Sequence, residues 1–134
     1  MPTLLEIVSP DRLLLSQPVD MAVIPAAEGE MGVLPGHSPM IVLLQGGTIT
    51  LHEGGRPTSQ LYVSGGFAEV TPERCTVLAD EAIPVAEVSR AEAEKRLAAA
   101  LAAVTAAGTD VAAYDLAAGQ VQAARAMLAA AGAP

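Results

Sequence analysis

Alanine divides this chain into two structural regimes. Of its 134 residues, 6 alanines lie in residues 1–85 and 21 in residues 86–134. Alanine has the highest helix propensity and fills a pleated surface poorly, so the two parts are not built from the same secondary structure. In the alanine-poor part, short apolar runs are separated by turn formers such as Ser9-Pro10-Asp11, Glu28-Gly29-Glu30, Pro35-Gly36-His37, Gly46-Gly47, Gly65-Gly66 and Thr71-Pro72-Glu73. Period-two alternation in Leu5-Glu6-Ile7 and in Thr48-Ile49-Thr50-Leu51-His52 marks half-buried strands. Together these signals predict ten strands, near 3–8, 11–16, 19–24, 32–34, 40–44, 48–52, 58–63, 66–70, 76–79 and 83–85. Many short strands at that spacing fold as an antiparallel sandwich or flattened barrel.

After Pro84 the pattern becomes helical. Ser89-Arg90-Ala91-Glu92 reads as a capping box opening a helix that runs to about Thr105, with Gly108 as the left-handed residue that ends it. Thr109 or Asp110 then caps a second helix to about Ala131, with Gly132 as its stop. The short connection makes the helices antiparallel neighbours. Their larger side chains, Leu97, Leu101 and Val104 on the first and Val111, Tyr114, Val121 and Leu128 on the second, predict a narrow apolar seam. Because each buried alanine contributes little hydrophobic free energy, the hairpin is expected to be helical yet weakly anchored.

Charge narrows the function classes. The chain carries 7 Lys and Arg against 15 Asp and Glu, a net charge of −8. Residues 1–85 hold 3 basic and 10 acidic side chains, residues 86–134 hold 4 and 5, so the acidity belongs to the strand-rich part. Such a chain has no sequence-independent grip on phosphates, which argues against nucleic acid as a partner. Tyr62, Phe67 and Tyr114 are the only aromatics, too few for a base-stacking platform. A lone Cys75 excludes an internal disulfide framework and fits a reducing compartment. Glu6 and Asp11 fall where a signal peptide would be apolar, and the charge-free stretch from Leu97 to Gly108 is about half the roughly 20 residues a membrane helix needs. The expectation is a soluble, intracellular chain with no direct membrane insertion.

Catalytic chemistry is hard to find. His37 and His52 have no partners at metal-ligand spacing, and no phosphate-cradling glycine loop is present. Cys75 stands in the alternating run Arg74-Cys75-Thr76-Val77-Leu78, where it reads as a small strand residue rather than a nucleophile. Glu28 and Glu30 place two carboxylates in one turn, a solvated acidic turn before it is an acid/base pair. The segment Pro35-Gly36-His37-Ser38-Pro39 fixes its backbone tightly, leaving His37 either bonded to loop backbone or presented to a partner.

Four segments form a specific combination: Ile7-Val8-Ser9-Pro10-Asp11; Glu28-Gly29-Glu30-Met31-Gly32-Val33-Leu34-Pro35-Gly36-His37-Ser38-Pro39; Val63-Ser64-Gly65-Gly66-Phe67-Ala68-Glu69-Val70; and Thr76-Val77-Leu78-Ala79-Asp80-Glu81-Ala82. In that order, followed by an alanine-rich helical hairpin, they resemble the epsilon subunit of bacterial F-type ATP synthase over almost the whole chain. The resemblance implies an N-terminal ten-strand β-sandwich (1–85) followed by a C-terminal antiparallel two-helix hairpin (86–134). It also implies a central-stalk rotor subunit with no catalytic site, metal or cofactor of its own. In the family the sandwich grips the gamma subunit and sits on the c ring, at the cytoplasmic face of the bacterial inner membrane, where the assembly couples proton-driven ring rotation to ATP synthesis. By that likeness Glu28, Gly29, Glu30 and Gly32 are candidates for c-ring contact. Pro35, Gly36, His37 and Pro39 are candidates for gamma or c-ring loop contact. An acidic turn suits such a role, since rim charges fix register better than they add affinity.

The hairpin departs from the family's regulatory behaviour. In many relatives it can extend transiently into the catalytic head and inhibit ATP hydrolysis, and in some it folds over ATP through a motif Ile/Leu-Asp-x-x-Arg-Ala. Here the corresponding run is Ala86-Glu87-Val88-Ser89-Arg90-Ala91, which keeps Arg90 and Ala91, has Glu87 for Asp and lacks the apolar residue. Arg125 is the one basic residue on the second helix, whereas a triphosphate wants several positive donors. A regulatory subunit that inhibits hydrolysis or senses ATP is therefore the alternative, and a small-ligand-binding or hydrolytic β-sandwich a remote one.

Overall fold

The computed structural model describes residues 2–132. It contains β1 (Thr3–Val8), β2 (Leu13–Val19), β3 (Met21–Ala26), β4 (Gly29–Val33), β5 (Met40–Leu44), β6 (Gly47–Glu53), β7 (Arg56–Val63), β8 (Gly66–Val70), β9 (Arg74–Ala79) and β10 (Ala82–Pro84), then α1 (Arg90–Ala107) and α2 (Val111–Ala131). The strands form two layers, β2-β1-β9-β8-β5 and β4-β3-β6-β7-β10, which are joined through the single β3–β5 residue pair Ala26 and Leu44. Alternation explains the core. Leu5 and Ile7, Val42 and Leu44, Ala68 and Val70, and Val77 and Ala79 point inward from the first layer, meeting Ala22 and Ile24, Ile49 and Leu51, and Leu61 and Val63 from the second. The ten-strand sandwich and hairpin are therefore as expected.

Three local readings change. The pairing is not wholly antiparallel, because β9 returns to lie parallel beside β1 after the chain has threaded both layers. Asp11 is not in a strand; reciprocal backbone bonds between Ser9 and Arg12 (3.0 and 3.3 Å) close a turn around it, and β2 starts at Leu13. The Glu28-Gly29-Glu30 segment is not one turn either. The tight β3–β4 hairpin pairs Ala26 with Gly29, leaving Glu28 in the turn and Gly29 and Glu30 in β4.

Helix ends follow their caps. Ser89 Oγ accepts from the Glu92 N–H at 3.1 Å, and Asp110 Oδ1 accepts from the Ala113 N–H at 3.1 Å. The Glu92 carboxylate turns to Arg96 (3.4 Å) instead of returning to Ser89, so half of the capping box forms. Gly108, at φ +55°, ends α1 in the region that only glycine enters freely. The expected seam of large side chains is met only in part: Leu97, Val104, Val121 and Leu128 are half-buried, and the centre of the contact is alanine. Ala93 and Ala100 on α1, and Ala117 and Ala124 on α2, are the buried residues at seven-residue spacing, whereas Leu101, Val111 and Tyr114 are exposed. Side chains of one carbon let two helices approach closely, and that closeness displaces longer side chains to the flanks.

The hairpin is also held more firmly than alanine burial alone would allow. The C-terminal half of α2 lies on the outer face of β6 and β7, where Tyr62, between inward-facing Leu61 and Val63, is buried beneath Met127 and Ala130. Tyr62 Oη donates to the Ala123 carbonyl at 3.0 Å. The Gln122 amide clasps both backbone groups of Gly46, accepting from its N–H (2.8 Å) and donating to its carbonyl (2.7 Å). Arg96 donates two bonds to Glu81, at 2.6 and 3.0 Å. A buried Met contributes about 1.5–3 kcal/mol and a partly exposed ion pair about 0–1, so the apolar contact supplies the strength and the polar bonds the register.

Gly46 is the tightest point of this contact. A Cβ there would stand 2.6 Å from Ala123 Cα and 2.9 Å from Gln122 Oε1. Gly46→Ala is expected to cost about 1–3 kcal/mol of docking free energy, as overpacking does. Hydrogen exchange should then quicken across residues 121–131 while β8 and β9 keep their protection. Unchanged exchange in α2 would show that the clasp does not hold the hairpin.

Candidate functional site

The acidic segment and the proline loop lie at opposite ends of β4. Ala27 N–H donates to the Leu43 carbonyl at 2.8 Å, placing the Glu28 turn beside the end of β5. Gly36 N–H donates to the Pro72 carbonyl at 2.8 Å, tying the Pro35–Pro39 loop to the β8–β9 turn at the other end. Glu28, Gly29, Glu30 and Gly32 are all exposed, and Met31 and Val33 turn inward between them. His37 Nδ1 donates to the Ser38 carbonyl at 2.8 Å, so the ring bonds its own loop backbone. Pro35, Gly36 and Pro39 are exposed around it. These candidates thus form two separated surfaces joined by a short strand.

The nucleotide-motif remnant is electrically committed elsewhere. Arg90 opens α1 and pairs with Glu94 at 3.4 Å, Glu87 lies one short helical turn earlier, and Ala91 is exposed. Arg96 is shared between Glu81 and Glu92, and the Glu81 hydrogen bonds chiefly raise its affinity for its proton further. Cys75 is fully buried in the sandwich core, and burial pushes its thiol up to about 11, which leaves it inert at neutral pH. Among the described residues no group of His, Cys, Asp or Glu is arranged to hold a metal ion. None of the described helices is long and apolar enough to cross a membrane.

The outer face of the first layer carries the feature that motifs do not reveal. Register aligns Leu13, Val8, Leu78, Phe67 and Leu43 on five neighbouring strands, β2-β1-β9-β8-β5. Their inward neighbours fill the core, so this row faces out; Leu43 is 71 % exposed, Leu13 55 % and Phe67 42 %. Ile41, 70 % exposed, adds to it on β5. At about 4.8 Å per strand the row spans roughly 19 Å. One signal was available in the sequence: Met40-Ile41-Val42-Leu43-Leu44 has no polar position, the pattern of a strand covered on both faces. The hairpin covers the part of the second layer's outer face around Tyr62. The first has no such cover from the described residues.

A family model described as "ATP synthase, Delta/Epsilon chain, beta-sandwich domain" matches residues 3–85. The chain belongs to the ATP synthase epsilon-chain family. The ATP synthase epsilon chain of Granulibacter bethesdensis is 68 % identical over 130 residues, 96 % of either chain. That of Gluconacetobacter diazotrophicus is 44 % identical over 135 residues, covering 100 % of this chain and 96 % of that one. A chain of the Euglena gracilis mitochondrial ATP synthase, in an OSCP/F1/c-ring structure, superposes with a TM-score of 0.77 at 29 % identity, over 96 % of this chain and 81 % of that one. A chain of the Tetrahymena thermophila central stalk/c-ring structure gives 0.71 at 13 % identity, which speaks for the fold alone. Membership makes the epsilon chain a non-catalytic stalk subunit of the ATP synthase complex.

Tyr62 ties the hairpin's docking to alkaline pH. Burial, and secondarily the Glu81 carboxylate, push its phenol up to about 12, with Arg96 partly opposing. A folded-state pKa above the ordinary value of 10.0 means that stability is fully present below pH 10 and is lost as pH rises toward 12. The expected loss is about 2 kcal/mol by urea unfolding across that window, and Tyr62→Phe should flatten it, leaving the smaller part due to Cys75. Equal slopes in the two proteins would contradict this assignment.

Proposed function

We propose that the chain is the rotor subunit that fastens the gamma subunit to the c ring, coupling proton-driven ring rotation to ATP synthesis at the cytoplasmic face of the bacterial inner membrane. The observation that carries this reading is the five-strand apolar row on the outer face of the first layer. A monomeric sandwich gains nothing by exposing Leu43, Ile41 and Phe67 side by side, and a torque-bearing contact needs an apolar centre within more than about 1,000 Å² of buried surface. The row is the gamma-docking surface in this reading, with Phe67 as its anchor. Residues 1–85 then form the docking unit, and residues 86–134 the hairpin that covers the Tyr62 region of its other face.

Ring contact falls to the remaining exposed surfaces. Glu28 and Glu30, carried by the tight turn and the free edge of β4, offer acidic groups to basic ring loops, and Gly29 and Gly32 leave the backbone accessible between them. The Pro35–Pro39 loop is a rigid second point of contact, its shape held by the Pro72 and Ser38 bonds. For the alternative reading, ATP sensing finds little support, since Arg90 and Arg96 are already paired with carboxylates. An inhibitory extension would have to break the Gln122, Tyr62 and Arg96 contacts first.

The test is affinity for the gamma subunit. Phe67→Asp is expected to weaken binding by roughly 30-fold or more, as loss of an aromatic hot spot does. Gln60→Asp, on the outer face of the second layer, should bind as the unsubstituted chain does, and both variants should keep the native circular dichroism spectrum. Native affinity in Phe67→Asp would overturn the proposal.

A further inference from the structure

The hairpin is fastened to the sandwich along only part of its length. On α2 every polar tether lies past Gly119: the Gln122 amide on Gly46 and the Ala123 carbonyl on Tyr62, with Met127 and Ala130 packed beside them. On α1 the tether is Arg96, bonded to Glu81. Among the described residues, Val111–Ala118 makes no salt bridge and no side-chain hydrogen bond to the sandwich. Ala117 is its one buried side chain, while Val111 is 71 % exposed, Leu116 68 % and Tyr114 48 %. The buried residues at this end of the hairpin are alanines, Ala100 on α1 and Ala117 on α2, whose contact contributes little hydrophobic free energy.

Gly119 marks the boundary between the fastened and unfastened parts. It is the one glycine inside either helix, in a run that is otherwise largely alanine. At Gly66, Gly46 and Gly108 glycine answers a steric or backbone demand. A Cβ would stand 2.1 Å from the Leu78 carbonyl oxygen at the first and 2.6 Å from Ala123 Cα at the second, and the third holds φ +55°. At Gly119 a Cβ would meet nothing within 4 Å, and α2 continues through it as right-handed helix. Packing therefore does not require glycine there, and its remaining effect is on the helix itself. Glycine in a helix interior weakens the helical state roughly fivefold relative to alanine. Gly108 closes the other end, so residues of high backbone freedom flank Val111–Ala118 on both sides.

The same segment forms part of one wall of a groove between hairpin and sandwich. The groove encloses about 860 Å³, with Asp115, Leu116 and Gly119 on the hairpin side and Leu44, Ser64 and Asp80 on the sandwich side. We propose that Val111–Ala118 is a lid over this groove, hinged at Gly119 and Gly108, which lifts from α1 while the rest of the hairpin stays docked. Lifting it breaks no polar tether to the sandwich and, among buried side chains, uncovers only Ala100 and Ala117. Lifting the remainder would break the Gln122 and Tyr62 bonds and expose Met127. The hairpin is thus two elements, a fixed root over Tyr62 and a yielding end that sets how open the groove is. Movement that begins at Gly119 leaves Tyr62 covered, whereas movement of the whole hairpin about residues 85–88 would uncover it. Such a lid works in the chain alone and does not depend on what covers the row.

Hydrogen exchange of the full chain at single-residue resolution tests the lid. The amides of residues 115–119 are expected to exchange at least about tenfold faster than those of 124–130, through openings that denaturant barely promotes. Gly119→Ala should slow exchange of 115–119 roughly fivefold. Gly46→Ala, which loosens the root, should quicken 124–130 and leave 115–119 within about twofold of the unsubstituted chain. If 115–119 and 124–130 exchange at one rate, or if Gly46→Ala quickens both alike, the hairpin opens as one body and there is no lid. An unchanged rate at 115–119 in Gly119→Ala would remove the hinge and overturn the proposal.

Discussion

The structure depends on what covers the outside of each layer. A sandwich of short strands buries one face of every strand by closing on itself, and the alternation of β1, β6 and β8 needs nothing further. Tyr62 breaks that sufficiency in the second layer. Its ring points away from the core, is nevertheless fully buried, and keeps its hydroxyl satisfied only by the Ala123 carbonyl. The hairpin is thus required by the sheet, and the clasp of Gln122 on Gly46 fixes where it sits. With Tyr62 covered, the large apolar side chains that strands still expose, Leu13, Met40, Ile41, Leu43, Phe67 and Leu78, all lie on the first layer.

That asymmetry links the fold to the stalk. One face is closed from within by helices whose alanine seam lets them pack tightly but gives them little apolar area to spare. The other presents Leu13, Val8, Leu78, Phe67 and Leu43 in a row, with Ile41 beside them, and can be closed only from outside. Exposed acidic groups at Glu28 and Glu30 and the braced loop at Pro35–Pro39 lie at different ends of β4, so ring contact in this reading is spread along an edge. A part that transmits torque gains from such separation, because contacts set apart resist rotation better than the same contacts in one spot.

Much of the fold was legible in the sequence because turn formers punctuate it. Gly, Pro and Asx residues recur between apolar runs, and Ser89, Gly108 and Asp110 mark helix ends by chemistry that works locally. What escaped was non-local. The helix seam was sought among Leu97, Leu101, Val104, Val111, Tyr114, Val121 and Leu128, whereas close approach puts Ala93, Ala100, Ala117 and Ala124 at its buried centre. Glu30 reads as a turn residue until the pairing of Ala26 with Gly29 draws it into β4. The docking row could not be assembled from sequence, since its residues lie on five strands far apart in the chain and meet only through register. The unbroken apolar run at Met40–Leu44 was its one visible trace. Residues 28–39 pointed to partners through family likeness, while their own pattern fits a solvated turn and a braced loop equally well.

The central claim is that the two outer faces are covered by different things, one by the chain's own hairpin and one by its partner in the assembled synthase. Hydroxyl-radical footprinting of the free chain and of the assembled complex tests this most directly. The account predicts that Ile41, Leu43 and Phe67 react readily in the free chain and become protected in the complex, while Tyr62 is protected in both. Row side chains that stay as reactive in the complex as in the free chain would contradict it.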